Sequence, residues 1–143
     1  MRLTLLASLL PLAIPLGAQL APAEAAPEGP AHRISLFFGG GSSTLHPVEE
    51  ARLRTFLDAL PDAGAYGIEI QGHTDDIGDR AYNLRLSAAR AEGVRRRLLD
   101  YPVPPEAIEV LPLGEDAPAF DNATWEGKLS NRRVDVILKP VLL

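Results

Sequence analysis

"IEIQGHTDDIGDRAYNLRLSAARAEGVRRRL", residues 68 to 98, changes its hydrophobic period part-way along. Ile68 and Ile70 alternate with Glu69 and Gln71, the two-residue period of a strand with one buried face. Further on, Leu84, Ala91 and Leu98 repeat every seven residues, as on the core side of a long helix reaching about Leu99. Asp79 is placed to cap that helix by accepting hydrogen bonds from its first free N–H groups. Between the two periods lies a polar loop of His73, Thr74, Asp75, Asp76 and Gly78, in which Gly78 can take backbone angles other residues avoid.

Working outward, "RISLFF" at 33 to 38 sets Ile34, Leu36 and Phe38 against Ser35, a first strand; Phe37 interrupts the alternation and implies that both faces are covered there. Gly39-Gly40-Gly41-Ser42-Ser43 ends it. Pro47 suits the first turn of a helix, and Glu49 and Glu50 favour its positive end. Leu53, Phe56, Leu57 and Leu60 follow at spacings of 3 and 4, and Pro61 should stop the helix. Downstream, "AIEVLPL" predicts a third strand and "NRRVDVILK" a fourth, with Val134, Val136 and Leu138 facing one way. An irregular stretch with Asn122-Ala123-Thr124 and Trp125 separates them, with a short helix leading to Ser130. The order β-α-β-α-β-β predicts an α+β two-layer sandwich: a mixed four-stranded sheet with two main helices on one face.

At 143 residues the chain accommodates one domain with a single core. Residues 1–25 have the layout of a secretory signal: Arg2, an apolar run from Leu3 to Leu16, and an A-x-A site at Ala23-Glu24-Ala25, with Leu16-Gly17-Ala18 as a weaker alternative. An uncleaved membrane anchor is the other reading, but the run falls short of the ~20 residues a span needs and contains Pro11 and Pro15. Residues 26–32 read as a flexible linker and 33–143 as the folded domain. The expectation is an exported protein of the periplasm or outer membrane, with no integral span in the mature chain. The 14 basic and 19 acidic residues give a net charge of -5, which loss of Arg2 and Glu24 leaves unchanged and which argues against a nucleic-acid partner. Arg95-Arg96-Arg97 reads as a solvated helix side. The absence of cysteine excludes disulfides, thiolate metal sites and a cysteine-linked lipid.

At roughly 100° per residue, Asn83, Ser87 and Arg90 fall within roughly 60° of one another, so an amide, a hydroxyl and a guanidinium share one helix face. An acid on the loop and an arginine on the helix can pair with each other, or flank a ligand that carries both an ammonium and a carboxylate. Either arrangement requires the loop to fold back, because Arg90 lies about 16 Å beyond Asp79 along the helix axis. His73 at a strand end fits a hydrogen bond to a neighbouring loop better than a metal. His73, Asp75 and Asp76 are too few and too local for a catalytic metal, and no Ser-His-Asp or Cys-His arrangement is evident. The sequence therefore predicts no catalytic residue, no metal and no cofactor.

The same stretch, with "NRRVDV" near the C-terminus, resembles the OmpA-like C-terminal domain, the peptidoglycan-binding module of outer-membrane porins, peptidoglycan-associated lipoproteins and flagellar stator proteins. Gly72, His73, Thr74, Asp75 and Gly78 meet its first motif. Asn83, Leu86, Ser87, Arg90 and Ala91 meet the second, and Asn131 through Val134 the third. The resemblance covers about residues 33 to 139. It implies non-catalytic binding of peptidoglycan through meso-diaminopimelate, gripped by Asp75 and Arg90, with Thr74 and Asn83 in support. His73 and Ser87 are further supporting candidates. Arg132 or Arg133 would border the groove, holding the fold more than touching ligand. "LPLGE" departs from the family's G-Y-G-E, and "GGGSSTL" is unusually rich in glycine. The resemblance implies the binding module on its own, for envelope anchoring; the alternative is a periplasmic adaptor whose main partner is another envelope protein.

Overall fold

The computed structural model describes residues 31–141, so the expected signal and nearly all of the linker lie outside the described residues. The chain runs β1 (His32–Phe37), α1 (Pro47–Asp58), β2 (Tyr66–His73), α2 (Arg80–Leu98), β3 (Ile108–Gly114), α3 (Trp125–Asn131) and β4 (Arg133–Pro140). This is the predicted α+β order, with the expected short third helix. β1 begins at His32, the residue expected to close the linker.

The sheet order is β1-β4-β2-β3. β2 and β3 are parallel, and β4 runs antiparallel to both β1 and β2, between which it is inserted. The last strand is therefore central. Alternation then separates two faces. Leu36, Val134, Val136, Leu138, Ile68 and Ile70 are buried on one face, where Leu53 and Leu57 of α1 and Ala91, Val94 and Leu98 of α2 complete the core. The opposite face carries Ser35, Asp135 and Gln71 across one register row.

Close approach of α2 depends on Gly72. A Cβ there would lie 2.2 Å from the carbonyl oxygen of Ser87, a distance only glycine avoids. At the free edge of β1, Phe37 N–H donates to Glu49 Oε2 (3.0 Å) and Arg52 Nη1 donates to the Ser35 carbonyl (3.2 Å). Helix α1 thus occupies two groups that an edge strand would otherwise offer to another chain.

Three expectations are corrected. Leu84 is 46% exposed and off the core. The first half of α2 packs on loop ends rather than on the apolar sheet, so Asn83, Ser87 and Arg90 take the buried positions. Phe37 is 38% exposed, because the sheet face it lies on is not covered there; Arg52 sits over its ring instead, 5.9 Å from the centroid. Helix α1 ends at Asp58, before Leu60, whose N–H closes a turn on the Leu57 carbonyl (3.1 Å).

Candidate functional site

β1 and β2 are both antiparallel to β4, so their C-terminal ends meet the start of β4 at one end of the sheet. A cavity of about 290 Å³ opens there, between the glycine loop after β1, the loop after β2 and the first turns of α2. Thr74, Asp75, Asn83, Arg90 and Arg132 supply its polar lining, and Gly40, Gly41, Ile77, Gly78, Tyr82 and Leu86 the rest.

Asp75 is 6% exposed. Its Oδ1 accepts from Ile77 N–H (3.0 Å), which turns the loop, and Gly78 at φ 96° reverses the chain toward Asp79. Asp79 Oδ1 then caps α2 on Ala81 N–H and Tyr82 N–H, the expected role. The other oxygen of Asp75, Oδ2, accepts from Arg132 Nε at 2.6 Å. Its cationic partner is therefore Arg132 rather than Arg90. Asp76 is exposed and pairs with Lys128 of α3.

Arg90 is 1% exposed and is held by three carbonyls. Its Nε donates to Ser42 (2.7 Å), Nη1 to His73 (2.9 Å) and Nη2 to Gly39 (2.9 Å), and its guanidinium lies over Phe38, 5.2 Å from the ring centroid. A guanidinium has five N–H groups. Two are left without a protein partner among the described residues, on a side chain that lines the cavity. Burial pushes the guanidinium down to about 10, against the opposing pull of the Asp75 charge, with the Arg132 charge lowering it further. A buried cation in that condition gains from an added anion.

Asn83 Nδ2 donates to the carbonyls of Asp75 (3.3 Å) and Ile77 (3.1 Å) and to Glu115 Oε2 (2.7 Å), so its amide nitrogen shapes the loop. Thr74 N–H donates to the Gly114 carbonyl (2.9 Å), and its hydroxyl to the Asp75 carbonyl (2.8 Å). Ser87 lies outside the cavity lining. Its hydroxyl accepts from Gly114 N–H (2.9 Å) and donates to the Leu84 carbonyl (2.8 Å), tying the end of β3 to α2.

His73 and Arg133 also lie outside the lining, on the sheet face away from the core helices. They meet Asp135, which is fully buried. Arg133 Nε donates to its Oδ2 (3.0 Å), Arg33 Nη2 to the same oxygen (2.5 Å), and Ser35 Oγ to Oδ1 (2.6 Å). His73 Nε2 is 3.4 Å from Oδ2, and both ring nitrogens lack a close hydrogen-bond partner among the described residues. Burial pushes the Asp135 carboxyl up. The neighbouring His73 and Ser35, the Arg133 charge and the Arg33 contact outweigh it and hold the carboxyl well below the usual carboxylate range.

The rim is what the sequence reading missed. Tyr82, 42% exposed, stands beside Gly41 and Gly78, where Cβ atoms would come 3.7 Å from its hydroxyl and 3.5 Å from its ring, respectively. Gly40 lies against the Arg132 guanidinium, 3.4 Å from where its Cβ would be. The run of glycines after the first strand was the available signal: a chain passing this close to a guanidinium leaves little room for side chains.

Residues 37–132 match the OmpA family. The outer-membrane lipoprotein YfiB of Pseudomonas aeruginosa is 36% identical over 103 residues, covering 72% of this chain and 61% of that protein. The peptidoglycan-binding protein ArfA of Mycobacterium bovis is 34% identical over 101 residues, covering 71% of this chain and 31% of that one. The chain spans less than two thirds of the length of either relative. A crystal structure of the peptidoglycan-associated lipoprotein from Burkholderia pseudomallei superposes with a TM-score of 0.67 at 31% identity, over 73% of this chain and 89% of that chain. With the loop after β2, the polar face of α2 and Arg132 just ahead of β4 assembled at one end of the sheet, and the match extending over most of the described residues, the chain belongs to the OmpA family.

Proposed function

We propose that this chain binds peptidoglycan non-covalently and without catalysis, by holding the meso-diaminopimelate of the stem peptide, and so serves as an envelope anchor in the periplasm or at the outer membrane. The observation that carries the reading is one cavity lined by Asp75 together with the guanidinium groups of Arg90 and Arg132. The side chain of diaminopimelate ends in an ammonium and a carboxylate. The ammonium shares the Asp75 carboxylate with Arg132, and the carboxylate takes the unpartnered N–H groups of Arg90 and the terminal nitrogens of Arg132. Two guanidinium groups against one carboxylate leave a positive excess, which favours a ligand with a free acid. Thr74 and Asn83 fix the loop that presents Asp75 rather than reaching for ligand themselves. Family membership and the name of the mycobacterial relative point the same way.

The test is co-sedimentation of the purified protein with diaminopimelate-type sacculi, beside lysine-type peptidoglycan, which lacks the second carboxylate. Retention on the first and not the second is expected, with free meso-diaminopimelate competing. Loss of either charged partner should cost about 2–5 kcal/mol of binding. Undiminished retention of a folded Asp75→Ala, Arg90→Ala double variant would end the reading.

A further inference from the structure

Trp125, the only tryptophan of the chain, is 59% exposed at the first position of α3. Thr124 caps the helix beside it, so the backbone that carries the ring is fixed. The ring contributes nothing to the buried core. It lies against the Arg132 guanidinium instead, 5.0 Å from guanidinium carbon to ring centroid. Arg132 in turn lines the cavity and holds Asp75. One path of direct contacts therefore runs from the charged floor of the cavity to an exposed indole. Only one face of a planar ring can lie against a guanidinium, and the large exposed fraction leaves indole surface open to solvent.

We propose that Trp125 is a sugar-stacking platform, taking a pyranose ring of the glycan strand while the stem peptide occupies the cavity. This rests on the peptidoglycan reading above and extends it from the peptide to the saccharide. The chemistry follows from the ring. An indole face carries the negative side of the aromatic quadrupole, and the axial C–H groups of a pyranose present a weakly positive, apolar face of matching size. A guanidinium against the same ring holds it in place without covering all of it. A peptide alone would leave the indole idle, whereas a ligand joining peptide to sugar can meet both.

The experiment compares two soluble ligands by calorimetry: a disaccharide-tripeptide muropeptide containing meso-diaminopimelate, and the same tripeptide without sugar. The wild type is expected to bind the muropeptide more tightly, by about two- to tenfold, the range of one aromatic stacking contact. Trp125→Ala should lose that advantage and bind the free tripeptide as the wild type does, while Trp125→Phe keeps part of it. Because Trp125 is the sole tryptophan, its emission should change more on muropeptide than on tripeptide. Equal wild-type affinity for the two ligands overturns the proposal. So does an equal loss on both in Trp125→Ala, which would mean that the ring acts only by placing Arg132. Binding of neither ligand would instead sink the peptidoglycan reading itself.

Discussion

Arg132 Nε donates to Asp75 Oδ2 across 2.6 Å, and both side chains are less than a tenth exposed. The contact joins residues 57 positions apart, one in the loop after β2 and the other the cap residue that follows α3. Asp75 is consequently held on both oxygens, by Ile77 N–H on one and a guanidinium on the other. In the proposed binding mode a ligand ammonium would meet a carboxylate whose orientation is set before it arrives, which would lower the cost of ordering on binding.

Because the pair is largely removed from water, deleting one partner leaves the other uncompensated. Asp75→Ala and Arg132→Ala should each lower the unfolding free energy by about 1–3 kcal/mol. The double variant should fall short of their sum by about 1 kcal/mol or more, as directly bonded residues do. Urea denaturation of the four proteins measures this; strict additivity would show that the contact contributes nothing to stability.

Arg90 closes the glycine loop onto α2 through the carbonyls of Gly39 and Ser42. Replacing it by alanine removes three donors at once and should cost about 2–4 kcal/mol, with faster amide exchange around residues 39–42. Arg90→Lys should lie between, since an ammonium keeps the charge and loses the planar fork. An Arg90→Ala protein as stable as the wild type would show that these carbonyls find water without penalty. Binding by any Arg90 variant must accordingly be read beside its stability.

The fold was legible because its elements announce themselves locally: period-two apolar residues at Ile68 and Ile70, an acidic cap at Asp79, a proline at the start of α1. What failed was the face of α2. Leu84 stands at heptad spacing from Ala91 and Leu98, but the helix changes neighbours along its length, from loop ends to sheet, and no period records that change. The site divided in the same way. Asp75 and Arg90 lie close enough in sequence to be read together as an acid and a base, whereas the contact of Asp75 with Arg132 joins residues 57 positions apart and depends on β4 being inserted between β1 and β2. Tyr82 went unnoticed because one exposed aromatic on a polar helix face carries no pattern.

Gly72→Ala is the single-atom-scale test of how α2 reaches β2. The added carbon would sit 2.2 Å from the Ser87 carbonyl oxygen and 2.8 Å from its carbon, both backbone atoms that no rotamer change can move. The helix must withdraw, carrying Asn83, Ser87 and Arg90 with it. A loss of about 3 kcal/mol or more is expected, together with loss of retention on sacculi. A variant with wild-type thermal stability would show that the packing is far softer than the contact distances imply.

Asp135 should make the stability of the fold depend on pH in the acid range. Its carboxyl is held well below the usual range by His73, Ser35, Arg133 and Arg33 acting against burial. In the unfolded chain it should titrate near the ordinary value of about 3.9. A depressed folded-state carboxyl stabilises the fold fully above the unfolded value. That contribution is lost as pH falls toward the folded value, because the unfolded chain then binds the proton first. The slope is about 1.4 kcal/mol per pH unit below 4 for this one group. Asp135→Asn keeps the shape and removes the charge, leaving Arg133, 4% exposed, without its ionic partner; it should cost about 3 kcal/mol at pH 7. The gap between wild type and variant should hold from pH 7 to about 5 and narrow steadily below about 4. Urea unfolding at pH 7, 5, 4 and 3 reads it directly, and a gap that stays constant down to pH 3 would mean that the carboxyl titrates alike in the folded and unfolded chain.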